Sequence, residues 1–226
     1  MRAVPLLRAA LFIGYVALAW SSTFGAPAVF DAVAVGCIGS AIWLPALLSA
    51  RPAALAAWSM FIMLLVLAAH AGYARLPGYF APPLILGAMA ALFGRTLKSG
   101  TTPLVSRFVR ALDGAEFAAR PKIVRYARAV TLAWTVLLSA LALASFVLAL
   151  IVWPDGAFAA LGLDMPFALS PAAWGLAVSF GGYGVMALAF VLEFALRRVV
   201  LPEAPRRRFG EFARRMAGLW PELRKP

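Results

Sequence analysis

A chain of 226 residues that is 64% hydrophobic and 13% charged has too little polar surface to clothe a water-soluble domain, so composition calls for a membrane. The formal net charge of +12 would suggest nucleic acid in a soluble protein, but in a membrane chain it acts on sidedness, and no nucleic-acid partner is expected. One cysteine, Cys37, excludes an intramolecular disulfide, and one histidine with scattered acids excludes a metal centre; no cofactor is expected.

Uncharged intervals run over 9–30, 32–50, 52–74, 76–94, 129–154 and 165–192. Most approach or exceed the ~20 apolar residues that carry a helix across ~30 Å of hydrocarbon. The alternation of a membrane barrel strand is missing, so backbone polar groups must be satisfied within helices. The reading is an all-α, six-transmembrane-helix bundle over residues 1–200, with spans near 7–23, 28–50, 53–71, 79–95, 129–153 and 171–196, and a basic tail over 201–226.

At the start, Met1-Arg2, a short apolar stretch and Ala26-Pro27-Ala28 have the outline of a secretory signal. Another apolar run follows at once, which favours a retained first span. In the second span Gly36, Gly39 and Ser40 permit close approach of a neighbouring helix. Arg51-Pro52 reads as a tight turn. His70, the one candidate for a general base of the Ser/His/Asp kind, sits beside Tyr73, Arg75 and Tyr79, where an interfacial anchor is the simpler role. Pro77, Gly78, Pro82 and Pro83 crowd the start of the fourth span and predict either a late beginning or a distorted first turn.

The segment 95–128 interrupts this apolar sequence with eight basic side chains, Arg95, Lys98, Arg107, Arg110, Arg120, Lys122, Arg125 and Arg128. Within it, residues 103–113 predict an amphipathic helix. Leu104, Val105, Phe108, Val109 and Leu112 share one face opposite Arg107 and Arg110, with Thr101 or Thr102 as N-cap and Gly114 as stop. This face is expected to lie on the inner leaflet or on the bundle. Trp153-Pro154-Asp155-Gly156 ends the fifth span in a turn, and Ser170-Pro171 starts the sixth as N-cap and first helical residue. Ser179, Gly181, Gly182 and Gly184 again suggest close helix packing, with a hinge or groove as the alternative. In the tail, Phe209, Phe212, Met216, Leu219 and Trp220 share a face opposite Arg207, Arg208, Arg214 and Arg215, a second interfacial helix.

With both termini in the cytoplasm, all but Arg75 of the 21 Lys and Arg residues fall inside, so the positive-inside rule orients the bundle N-in and C-in. Anionic lipids of the inner leaflet are the expected partners of Arg107, Phe108, Arg110, Phe209, Phe212, Arg214, Arg215 and Trp220. Glu193 is the one acid within or at the edge of the sixth span, and Arg197 lies one turn on. A pair between them closes the helix at the boundary. The alternative joins Glu193 to Arg95 or Arg128 in a polar pocket.

Several words of the sequence resemble a family of small bacterial inner-membrane proteins encoded among fatty-acid-synthase-like genes for aryl polyene or xanthomonadin-type pigments. They are Pro83-Leu84, then Phe93-Gly94-Arg95-Thr96-Leu97, Pro103-Leu104-Val105, Tyr126-Ala127-Arg128-Ala129-Val130-Thr131 with Trp134, and Glu193-Phe194 with Arg197. Ala127 and Thr135 depart from the family's pattern, which has Thr at the first position and an aromatic run at the second. The label "ketosynthase" attached to such proteins finds no Cys nucleophile with His partners here. The resemblance implies an accessory in making or moving an acyl or polyene lipid. It groups Arg95, Arg128, Trp134 and Glu193 as the ligand site, to which Thr96, Thr131 and Arg197 are added. The expected ligand is an anionic lipid intermediate or an acyl carrier protein, in contact with lipid-biosynthesis enzymes. Alternatives are a small lipid or metabolite transporter or flippase, and a membrane acyl or glycosyl transferase.

Overall fold

The computed structural model describes residues 3–202 and 210, and the tail residues Phe209, Phe212, Arg214, Arg215 and Trp220 lie outside them. Among the described residues the chain is all-helical. Its elements are α1 (Ala3–Thr23), α2 (Val29–Leu48), α3 (Pro52–His70), α4 (Leu76–Arg95), α5 (Leu104–Asp113), α6 (Ala115–Ala118), α7 (Pro121–Leu150), α8 (Ala157–Ala160), α9 (Pro171–Leu176), a π-helical stretch Ala177–Gly184, and α10 (Val185–Val200). Six helices are long and apolar enough to cross a membrane: those within α1, α2, α3, α4 and α7, and the continuous run Pro171–Val200. The chain is thus a multi-pass membrane protein. Leu64, Val66, Leu132, Val136, Leu143, Leu188 and Leu192 in mid-span each expose more than half of their surface, as hydrocarbon-facing residues do.

The described residues of Met1–Leu84 and Leu143–Gly181 form one compact unit, and those of Ile85–Ala142 and Gly182–Pro226 a second. In the first, α1 packs on α2 and α2 on α3. A Cβ built on Gly36 meets Leu65 at 3.7 Å, and one built on Gly39 falls 2.5 Å from the Phe61 ring, so only glycine admits that aromatic. Trp58 Nε1 donates to Ser40 Oγ at 3.0 Å, tying α3 to α2. Arg8 Nε donates to the Ala41 carbonyl at 3.0 Å. A further core of Tyr79, Ala149 and Val152 carries Phe80 and Trp174, the latter edge-on to Tyr79 at 4.9 Å.

Several boundaries differ from the hydropathy reading. α4 begins at Leu76, with Pro77 in its first turn and Pro82 and Pro83 inside. The prolines therefore sit within the helix, depriving it of N–H groups rather than delaying it. α7 begins at Pro121, eight residues before the predicted start, and takes Lys122, Arg125 and Arg128 into helical register. At ~1.5 Å per residue its 30 residues exceed a hydrocarbon slab, so charge exclusion marks where lipid begins and not where the helix does. It ends at Leu150, ahead of the Trp153–Pro154 turn, whose peptide bond is cis. Ser170 caps the sixth span as expected, accepting from the Ala173 N–H at 3.2 Å. Gly181 and Gly182, however, are not close-packing sites: a Cβ on either meets nothing within 4 Å, and both lie in the π-helical stretch.

Candidate functional site

The second unit contains an apolar chamber of about 590 Å³. α4 contributes Met89, Leu92 and Phe93, α7 contributes Val130, Trp134 and Leu138, and the sixth span contributes Tyr183, Met186, Ala187 and Phe190. The remaining wall is α5, through Leu104, Val105, Phe108, Val109 and Leu112. Trp134 stands between Phe93 and Phe190, with ring centroids 6.3 and 6.5 Å away, in tilted geometry. Only two lining side chains are of charged type, Glu193 and Arg197, one helical turn apart near the end of α10.

The placement of α5 resolves the choice left open by its amphipathic pattern. Its apolar face lines the chamber and packs on the unit: Val109 joins Ala118, Ile123 and Leu201 in one buried cluster, and Leu112 is buried. Arg107 and Arg110 are exposed. Phe108, expected at a lipid interface, is a chamber wall.

The helix is fastened at both ends by residues distant in sequence. Its N-cap position is Pro103, which has no side chain to cap with. The orphan N–H groups of the first turn are taken instead by two threonines, Leu104 N donating to Thr96 Oγ1 at 2.9 Å and Val105 N to Thr131 Oγ1 at 3.3 Å. Neither Thr101 nor Thr102 is the cap; Thr101 Oγ1 donates to the carbonyls of Thr96 and Lys98. At the other end Gly114 stops the helix with φ +92°, and Asp113, the last residue of α5, pairs with Arg197 of α10. The side chain of Asp113 is fully buried and that of Arg197 is 13% exposed.

The residues grouped by sequence therefore divide. Trp134, Glu193 and Arg197 share the chamber. Thr96 and Thr131 are buried backbone anchors, Thr131 also donating to Ala127 at 2.7 Å. Arg128 lies on the surface and donates through Nη2 to the Leu97 carbonyl at 2.9 Å. Arg95 lines a different recess, of about 540 Å³, together with Lys98. Glu193 and Arg197 each have a partner from another helix. Glu193 Oε1 accepts from the Tyr126 hydroxyl at 3.1 Å and Arg197 bonds Asp113, while the Arg197 charge also acts on Glu193 one turn away.

Tyr126 and Asp113 were missed by sequence reasoning. Nothing local marks Tyr126, whose partner is 67 positions away. Asp113 did carry a signal. An acid on the last turn of a helix opposes the helix dipole, so it calls for a cation from elsewhere.

In the first unit, Arg75 Nη1 pairs with Asp155 Oδ2 at 2.7 Å and Ser22 Oγ donates to Asp31 Oδ2 at 2.5 Å. Burial opposes the charge of Arg75, but the hydrogen bond and field of Asp155 outweigh it and hold its pKa above the ordinary arginine value. His70 is exposed at the end of α3. Among the described residues no group of three or more His, Cys, Asp or Glu is placed to hold a metal ion. Neither family models, curated proteins nor solved structures give a match to this chain.

Proposed function

We propose that this protein binds a long-chain anionic lipid intermediate in the chamber of its second unit, as an accessory to lipid or pigment synthesis in a bacterial inner membrane. The observation that carries the reading is the chamber itself: about 590 Å³ of almost wholly apolar wall with its charged side chains confined to Glu193 and Arg197. A site of this size suits an extended hydrocarbon, since apolar burial scales with the area removed from water and a few placed polar groups then fix orientation. Met89 and Met186 are unbranched and adapt to an irregular chain. Trp134 between Phe93 and Phe190 offers aromatic faces to a flat conjugated chain.

In this reading the chain occupies the chamber and the anionic end meets Arg197, whose planar guanidinium holds a carboxylate or phosphate while remaining charged. Asp113 and Glu193 hold that end of the chamber, Glu193 through the Tyr126 hydroxyl. Arg95 and Arg128 act outside the chamber. Their charge, with that of Arg107 and Arg110, favours an acidic acyl carrier or an anionic leaflet on the face we assign to the cytoplasm, with both termini on the same side.

The test is a titration of the full chain in nanodiscs with a conjugated polyene fatty acid, read by energy transfer from tryptophan and compared with Trp134→Phe. Saturable uptake is expected, with transfer reduced in Trp134→Phe to that of the six other tryptophans. Filling the chamber with Ala187→Trp weakens uptake by about tenfold, the equivalent of ~1.4 kcal/mol. Uptake that never saturates, or that ignores Ala187→Trp, would refute the assignment.

A further inference from the structure

The recess that contains Arg95 is a second site, and its occupant differs from that of the chamber. It runs along one face of α4, where Gly87, Ala91 and Gly94 recur at helical spacing, against Thr135, Ser139 and Ala142 of α7. Small residues on both helices leave the channel open: a Cβ built on Gly87 meets nothing within 4 Å. The segment 87–94 and the facing 135–142 both lie within helices long and apolar enough to span a membrane, and Ala91 and Ser139 are exposed, so this length of the channel lies on the outer surface of the spans. Such a surface suits the tail of a lipid.

Its polar end identifies the headgroup. Arg95 closes α4 and Lys98 follows in the next turn; both are exposed, both line the recess, and no acidic side chain lines it. The turn that presents them is fixed before any ligand arrives. Thr96 Oγ1 donates to Phe93 at 2.7 Å, Thr101 Oγ1 to Lys98 at 2.8 Å, and Arg128 Nη2 to Leu97 at 2.9 Å. Two cations carried on a hydrogen-bonded turn, beside a channel of small residues within a span, are complementary to a phosphate on a glycerolipid. We infer that the α4/α7 groove is a binding site for an anionic phospholipid, with the phosphate between Arg95 and Lys98 and one acyl tail along Gly87, Ala91 and Ala142. This site stands independently of the chamber, since the two share no lining residue.

Native mass spectrometry of the full chain, released from micelles doped with equal amounts of phosphatidylglycerol and phosphatidylcholine, tests it. The wild-type chain is expected to retain phosphatidylglycerol preferentially. The double variant Arg95→Gln/Lys98→Gln should lose about thirtyfold in retention, the equivalent of ~2 kcal/mol for two cations near a lipid anion. Gly87→Leu, which fills the channel while leaving both charges, should lose retention comparably, with Ala91→Leu as a second filling variant should the first melt early. Arg107→Gln/Arg110→Gln, which removes two exposed charges of α5, should keep it, as should Ala187→Trp in the chamber. Equal retention of the two lipids, an unaltered value in either the charge variant or both filling variants, or an equal loss in the α5 control, overturns the site. Because the polyene titration reads other residues, either proposal can fail while the other stands.

Discussion

At the scale of single residues, the two threonines show how a hydroxyl is put to use in an apolar setting. Thr131 is completely buried and its Oγ1 both accepts from Val105 N and donates to Ala127 O. Thr131→Val preserves shape but leaves the Val105 N–H without its acceptor, which costs about 1–3 kcal/mol for a buried donor. A lower melting temperature in detergent and faster amide exchange at Leu104 and Val105 are the expected results; an unchanged exchange rate would show that this bond does not hold α5. Ser106 is the converse case. Its hydroxyl is buried with no partner among the described residues, so Ser106→Ala should be neutral or raise stability by about 0.5–1 kcal/mol. A clear loss of melting temperature would contradict that accounting. The sequence marked Thr96 and Thr131 as ligand groups, and they act on the backbone instead. A hydroxyl's partner is set by what is brought within ~3 Å of it, which residue type alone does not tell.

At the scale of elements, α5 was legible in pattern and not in attachment. Its apolar face, its basic face and its glycine stop were all readable, because each depends on helical periodicity or on one residue's backbone freedom. What that face touches was left open between lipid and protein, and the structure turns it onto the chamber. The Asp113–Arg197 pair then sets how firmly the wall is closed. Arg197→Gln deprives the buried Asp113 carboxylate of this charged hydrogen bond, and α5 should exchange its amides more readily at a cost of about 2 kcal/mol. Gly114→Ala places a Cβ at φ +92° and should cost roughly 1 kcal/mol in melting stability, without altering the chamber. If the alanine variant melts with the wild type, the helix ends there for another reason.

At the scale of the whole molecule, the six spans follow from a rule that sums over residues: an apolar stretch of sufficient length is transferred to hydrocarbon whatever its neighbours. Orientation follows, in our reading, from the basic residues alone. A single-cysteine variant, Lys98→Cys in a Cys37→Ser background, should react with a membrane-impermeant maleimide only after the cytoplasmic face is opened, and Arg75→Cys in the same background should react in intact cells. Labelling in the reverse sense would place the basic face outside and remove the expected encounter with an acyl carrier.

Composition, the approximate span positions, the α5 stripe, the stop at Gly114 and the cap at Ser170 were determined by the sequence, since each is a local or additive property of the chain. The tertiary structure alone decided that Trp134 and Glu193 share a chamber while Arg95 does not, that Arg197 answers Asp113, and that Glu193 answers Tyr126. A cavity or a buried pair exists only where distant segments come within a few ångströms of each other. Geometry of that kind depends on how helices pack, and no window of the sequence contains it.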